Sequence, residues 1–181
     1  VTGAARLFRE AQALGFKTSA DVVSEDSDRV RSVVNPSLPV VNYLFLNEVE
    51  AERLTGVPTR RGESIEWEGL SRAARLLIER GVNDLVCIHC PQGALAWTST
   101  GGEYRQASID LPADRVVGAV GAGDAFAAGV LFGLHEGWAI GPCLHLAVCA
   151  AASSLLHPAS SEGVLPWQQC LRLGETFGFR S

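Results

Sequence analysis

Between Gly118 and Gly133 the chain reads G-A-V-G-A-G-D-A-F-A-A-G-V-L-F-G, and no other stretch restricts the fold so tightly. The small-residue turn Gly121-Ala122-Gly123 is followed at once by Asp124. Helical spacing then opens, with Phe126, Val130, Leu131 and Leu134 on one apolar face. Small residues let a backbone approach a ligand closely, and glycine takes conformations that a larger side chain resists. A helix start also presents N–H groups without intrahelical partners, where the helix dipole favours an anion. The stretch therefore places an anion cradle beside one carboxylate, a combination that suits phosphate chemistry. Two readings of Asp124 stay open at this point. It is a functional carboxylate beside the cradle, or it is the N-cap of a helix that follows an ordinary glycine-rich turn.

The rest of the composition narrows the class. The chain has 181 residues, of which 47% are hydrophobic and 19% charged, enough apolar content for a sizeable core in one domain. A net charge of −5 and the lack of a basic run argue against nucleic-acid binding. No apolar run reaches the length of a membrane span, and the longest, near Leu144–Leu156, reads as a buried helix. The five cysteines, Cys87, Cys90, Cys143, Cys149 and Cys170, are odd in number. They fit free thiols in a reducing cytoplasm better than a disulfide framework. The chain begins at Val1, contains no Met and shows no signal peptide, so a preceding N-terminal part is expected to be missing from it.

The order of elements reads as α/β. A helix over residues 4–14 ends at Gly15, and a strand follows over Phe16–Val23. Ser24–Ser27 opens a helix with Val30, Val33 and Val34, broken by Pro36 and Pro39. Tyr43–Leu46 is a strand suited to burial on both faces, followed by a helix from Glu48 to Leu54. Thr59–Glu63 is a polar loop, and Ile65–Arg80 a helix stopped by Gly81. Leu85–His89 and Ala94–Thr98 form a hairpin, and Tyr104–Leu111 is irregular or extended. Helices follow over residues 124–136, 141–156 and 166–176. Strands alternating with helices predict a mostly parallel sheet with helices on its faces.

Such a sheet presents ligands at strand ends and helix starts. Asp124 and its cradle occupy one of these places. Asn47-Glu48-Val49-Glu50 occupies a second, directly after a strand. Asn47 and Glu50, three apart, share one face of a first helical turn. An amide and a carboxylate there could organise a hydrated Mg²⁺, or simply cap the helix with an acidic first turn. The third place is the turn Cys90-Pro91-Gln92-Gly93, on its own a hairpin turn.

In this order the three motifs resemble the C-terminal half of the ribokinase-like (PfkB) carbohydrate kinases, over nearly the whole chain. The resemblance implies a three-layer α/β fold and a single kinase domain, residues 1–181 forming its C-terminal portion. It implies transfer of the γ-phosphate of ATP to a hydroxyl of a sugar-like substrate. Asp124 would take the proton from that hydroxyl. Gly121, Ala122, Gly123 and the Asp124 N–H would form the anion hole. Asn47 and Glu50 would order Mg²⁺, its waters and the nucleotide phosphates, and Gly93 would lie by the nucleotide. The implied partners are ATP and a small sugar-like acceptor in the cytoplasm, with a homodimer as the expected assembly. The family's N-terminal half would supply the sugar-binding glycines and the lid, which have no counterpart here.

Departures from the family pattern accompany the match. The family's usual Asp-Thr ahead of the glycine turn is Gly118-Ala119 here. Neither has a side-chain oxygen, which puts a monovalent-cation site in doubt and leaves only backbone carbonyls to contribute. The usual Thr-Leu-Gly before the nucleotide turn is Ile88-His89-Cys90. The nucleotide pocket is therefore expected to be reshaped, with His89 either meeting the nucleotide or serving as a plain strand-end histidine. These departures motivate a rival reading, a kinase-like protein that binds nucleotide or sugar with little catalysis. Cys87-Ile88-His89-Cys90 is formally C-x-x-C, but strand alternation sends the two thiols to opposite faces. Arg60-Arg61 reads as a solvated pair, His157 as a pocket-wall candidate, and Trp67, Trp97, Trp138 and Trp167 as packing or surface residues.

Overall fold

The computed structural model describes residues 2–22, 29–159 and 162–181. Helix α1 (Gly3–Ala13) is capped by Thr2, whose hydroxyl accepts the Ala5 N–H at 3.2 Å. Strand β1 is Ser19–Asp21, shorter than the expected Phe16–Val23. Ahead of it the Asn42 side chain takes up the backbone, accepting the Thr18 N–H at 3.0 Å, and Phe16 is exposed. Val23 and the expected helix start Ser24–Ser27 lie outside the described residues. Helix α2 (Arg29–Val34) runs directly into a 3₁₀ helix, Asn35–Val40, which contains both Pro36 and Pro39. The prolines were expected to break the helix. They do end the α-helix, at Val34, and the chain continues as a 3₁₀ turn, which tolerates residues that lack an N–H.

Strand β2 (Tyr43–Asn47) pairs in parallel with β1, Ser19 opposite Tyr43 and Asp21 opposite Phe45. Helix α3 (Glu48–Thr55) follows without a gap and ends at Gly56, whose φ of 77° a side chain would resist. The expected polar loop Thr59–Glu63 is more ordered than its composition suggests. Arg60–Arg61 (β3) and Ser64–Ile65 (β4) form an antiparallel pair. Thr59 is fully buried, its hydroxyl donating to the Glu48 carbonyl at 2.8 Å. Ile65 belongs to this pair, so α4 (Trp67–Glu79) starts later than its apolar spacing indicated.

Strands β5 (Leu85–Cys90) and β6 (Gly93–Thr98) form the hairpin around Pro91-Gln92, and β7 (Glu103–Ala107) follows. The sheet has the order β1-β2-β5-β6-β7. Leu44, Phe45 and Leu46 in β2, Val86, Cys87 and Ile88 in β5, and Ala94, Leu95 and Ala96 in β6 are all buried. Successive strand residues point to opposite faces, so uninterrupted burial means that both faces are covered.

Two compact units divide the chain, Val1–Ile88 with Leu95–Glu103, and His89–Ala94 with Tyr104–Ser181. In the first unit α3 packs on α4 and β2, and α1 on the 3₁₀ helix. In the second, α5 (Ala122–His135) packs on α6 (Ile140–Leu155), and α6 on α7 (Trp167–Phe177). Two glycines permit the α5–α6 contact. A Cβ on Gly129 would lie 2.7 Å from the Ala147 Cα, and one on Gly133 2.7 Å from the Cys143 Sγ. Trp138 and Trp167 close the same unit, meeting edge-on with ring centroids 5.4 Å apart. Among the described residues no helix is long and apolar enough to cross a membrane.

The glycine contact gives a stability prediction. Alanine at Gly129 gains about 1 kcal/mol of helix propensity but forces two backbones apart, at about 1–3 kcal/mol or more. Gly129→Ala is therefore expected to lower the urea midpoint of the protein. Gly3→Ala, in a helical position where an added Cβ meets nothing within 4 Å, is expected to leave it unchanged or raise it. Equal midpoints for the two variants would contradict this account of the α5–α6 contact.

Candidate active site

The start of α5 is built by backbone conformation, without a side-chain cap. Gly121 is the N-cap, left-handed with φ 85°, and it makes no side-chain bond. Ala122, Gly123 and Asp124 are the first three helical residues. The capping reading of Asp124 is thereby corrected, since Asp124 lies within the first turn, one turn too late to cap. Its carboxylate is exposed and has no hydrogen-bond or ion-pair partner among the described residues. A carboxylate in a first turn is favoured by the helix dipole, so it needs no partner to sit there. The Ala125 N–H closes the first intrahelical bond to the Gly121 carbonyl at 2.9 Å, and the Ala122 N–H reaches the Ala119 carbonyl at 3.4 Å. The N–H groups of Gly123 and Asp124 meet no acceptor among the described residues.

The loop before the cradle is tied down from the other side of the unit. The Val117 N–H donates to the Leu155 carbonyl, the last residue of α6, at 2.8 Å. Gly118 then passes the 157–158 segment, where an added Cβ would be 3.6 Å from the His157 carbonyl oxygen. A side chain fits at Gly118, yet neither Gly118 nor Ala119 has a side-chain oxygen. The His157 ring accepts the Ala159 N–H at Nδ1, at 3.1 Å, so one of its nitrogens serves the loop itself.

His89 belongs to the same unit, at the end of β5, and sits against the cradle. A Cβ on Gly123 would lie 3.4 Å from both Cε1 and Nε2 of its ring. The ring also meets Phe126, centroids 5.2 Å apart and tilted by 45°. Among the described residues it has no hydrogen-bond partner. Burial lowers its pKa from 6.5 to about 4, so the imidazole is neutral near pH 7. The sequence contained a weak signal for this contact, the unusual His in a strand-end motif, but nothing that linked residue 89 to residue 123.

Gly93 opens β6 in this unit, and its glycine has a packing reason. An added Cβ would collide with the Gln106 carbonyl oxygen of β7. In the neighbouring turn the Gln92 Oε1 is buried without a hydrogen-bond partner among the described residues.

Asn47 and Glu50 lie in the first unit and form a complete capping box on α3. Asn47 Oδ1 accepts the Glu50 N–H at 2.8 Å, and Glu50 Oε2 accepts the Asn47 N–H at 2.8 Å. The helix-cap role is thus real, and it fixes both side chains in place. A carboxylate has four lone-pair directions and an amide oxygen two, so groups of this kind can take more than one partner. One carboxylate and one amide fit a magnesium ion held through its own waters, which that ion keeps readily. Arg60 and Arg61 are exposed, as expected of a solvated pair, and each also makes a surface ion pair, Arg60 with Glu48 at 3.2 Å and Arg61 with Glu66 at 3.1 Å.

The cysteines stand apart from this chemistry. All five are free thiols, Cys87 in the core and Cys90 half-buried. Burial pushes the Cys149 thiol up to about 11 and raises Cys143 and Cys170, which keeps these sulfurs protonated and unreactive. Among the described residues no group of three or more His, Cys, Asp or Glu side chains could hold a metal ion.

Known proteins share this pattern. A model of the pfkB family of carbohydrate kinases matches residues 3–168. The ribokinase of Arabidopsis thaliana is 31% identical over 136 residues, which are 75% of this chain and 34% of that protein. An ATP-dependent 6-phosphofructokinase isozyme 2 of Mycobacterium tuberculosis is 38% identical over 90 residues, 49% of this chain and 25% of that protein. The solved structure of Arabidopsis thaliana ribokinase with ribose and ATP superposes with a TM-score of 0.78 at 25% identity, over 94% of this chain and 51% of that one. A ribokinase II structure from E. coli, with ATP and Mg²⁺, gives 0.74 at 17% identity, over 93% of this chain and 52% of that one. The fold is ribokinase-like α/β, and the chain spans about half the length of these solved structures.

The buried neutral ring of His89 makes stability depend on pH. Between its folded value near 4 and its ordinary value of 6.5, the unfolded chain binds a proton that the folded chain refuses. The unfolding free energy is therefore expected to fall as pH drops from about 7 to about 4, by about 3 kcal/mol at most from this group. Urea unfolding of the protein and of His89→Leu across this range will show a shallower slope in the variant. Parallel slopes would mean that the ring is not held neutral.

Proposed function

This chain belongs to the pfkB family of carbohydrate kinases, and we propose that the protein containing it transfers the γ-phosphoryl group of ATP to a hydroxyl of a sugar or sugar-like acceptor. The observation that carries this reading is the start of α5. There an exposed carboxylate stands in the same turn as two N–H groups, and among the described residues neither the carboxylate nor those N–H groups has a partner. Phosphoryl transfer asks for that pairing, a base for the acceptor hydroxyl beside fixed positive dipoles for the moving charge.

The chemistry assigned to these residues balances as follows. Asp124 accepts the proton of the acceptor hydroxyl, whose oxygen forms a bond to the γ-phosphorus. The bond from that phosphorus to the oxygen bridging the β-phosphate breaks, its electron pair leaves with ADP, and Asp124 returns the proton to solvent. A carboxylate is a weak base, but in a loose transition state its proton transfer is late, so placement matters more than basicity. The backbone of Gly121, Ala122, Gly123 and Asp124 forms the anion hole, with the Gly123 and Asp124 N–H groups as its donors. The left-handed Gly121 turn lets the backbone reach the phosphoryl oxygens without a side chain in the way.

Asn47 and Glu50, fixed by their capping box, are assigned to a hydrated Mg²⁺ that would neutralise charge on the nucleotide phosphates. Gly93 and its turn are assigned to the nucleotide. No monovalent-cation role is assigned, because Gly118 and Ala119 carry no side-chain oxygen. The acceptor is a carbohydrate by family. The named relatives, a ribokinase and a phosphofructokinase, act on different sugars and leave its identity open.

The test is Asp124→Asn in the full-length protein. Asparagine keeps the shape and removes the base, and kcat is expected to fall by about 10²–10⁴-fold with the fold intact. Turnover close to that of the unsubstituted enzyme would overturn the assignment.

A further inference from the structure

His89 occupies a position that neither a plain core histidine nor a capping residue explains. Its ring lies against the first turn of α5, with the Cε1–Nε2 edge facing Gly123. Phe126, almost fully buried, backs the ring. A core histidine ordinarily finds a hydrogen-bond partner, since a desolvated ring nitrogen without one is costly. This ring has none among the described residues, and the Gly123 and Asp124 N–H groups of the turn it packs against also meet no acceptor there. Donors without acceptors among the described residues thus lie on this turn and on the ring beside it. A neutral imidazole carries one N–H and adds one more donor to the set. A group able to satisfy these donors together is an anion with several oxygens.

We propose that His89 is a third hydrogen-bond donor to the phosphoryl oxygens held at the start of α5, a catalytic contact additional to the backbone N–H groups. The inference rests on the kinase reading above. His89 transfers no proton in this role. It donates a hydrogen bond that strengthens as negative charge builds on the transferred group, and it remains neutral before and after. Neutrality matters for turnover, because a charged imidazolium would hold the product phosphate and ADP more tightly than a dipole does. The burial that keeps the ring uncharged at physiological pH therefore serves this role as well.

The experiment compares the full-length protein with His89→Leu and His89→Gln. Leucine fills the space against Phe126 without a donor, and glutamine restores a neutral donor. The leucine variant is expected to lose about 10²-fold in kcat, in the range found for a lost oxyanion donor. The KM for ATP is expected to move little, because the contact strengthens in the transition state. Glutamine is expected to recover most of the loss. A leucine variant as fast as the unsubstituted enzyme would show that the ring only fills space. A glutamine variant as slow as leucine, with both folded by circular dichroism, would also overturn the donor role. A binding measurement keeps this inference separable from the kinase reading. In ¹⁵N spectra of the histidine rings, titration with inorganic phosphate is expected to move the His89 signals saturably. Absence of that shift would overturn the inference even in an active kinase. The shift in a protein that phosphorylates no acceptor would uphold the contact while the kinase reading failed.

Discussion

The close contact of α5 with α6 is the constraint on which the second unit depends. Gly129 and Gly133 remove the side chains that would otherwise separate the helices, leaving Ala147 and Cys143 pressed against backbone. The arrangement gives up helix propensity at two positions, about 1 kcal/mol each. It regains this through close packing along a helix that is apolar on nearly every side. The consequence for chemistry lies at the other end of the same helix. A rigid α5 fixes where its first N–H groups point, and the Val117–Leu155 hydrogen bond fixes the loop that leads into it. The geometry of this turn is backbone geometry, which packing controls more firmly than it controls a flexible side chain.

The two acidic features illustrate different electrostatic solutions. Asp124 is exposed, without a partner among the described residues, and favoured by a helix dipole. Glu50 is buried and committed to a reciprocal cap with Asn47. A cap of this kind does not compete with a role toward a hydrated cation. It immobilises both side chains beforehand, so less conformational entropy is lost when a ligand arrives. His89 adds a third solution, a polar ring kept uncharged by desolvation beside the start of α5.

Much of this was legible in the sequence because it rests on local patterns. The helices around Leu70–Leu77 and Leu144–Leu156, the buried strand Tyr43–Leu46 and the hairpin around Pro91-Gln92 follow from apolar periodicity and turn residues. The start of α5 was legible because glycine and aspartate in that order leave few local conformations. What local pattern could not supply was tertiary. Asn42, remote in sequence, shortens β1 by bonding Thr18. Thr59 looks like a loop residue until its hydroxyl finds the Glu48 carbonyl. Pro36 and Pro39 marked the end of α2, but the 3₁₀ turn that follows leaves no periodic trace in so short a segment. The His89–Gly123 contact joins residues 34 positions apart, and only the folded chain shows it.

The account turns on whether the turn Gly121–Asp124 serves phosphoryl transfer or only binding. The most direct measurement is ³¹P NMR of the full-length protein incubated with ATP, Mg²⁺ and a panel of sugars, sugar phosphates and nucleosides. The account predicts a new phosphomonoester resonance with at least one acceptor, growing in step with ADP. Saturable binding of ATP with no phosphomonoester from any acceptor would contradict it, and would identify the protein as a kinase fold used for recognition alone.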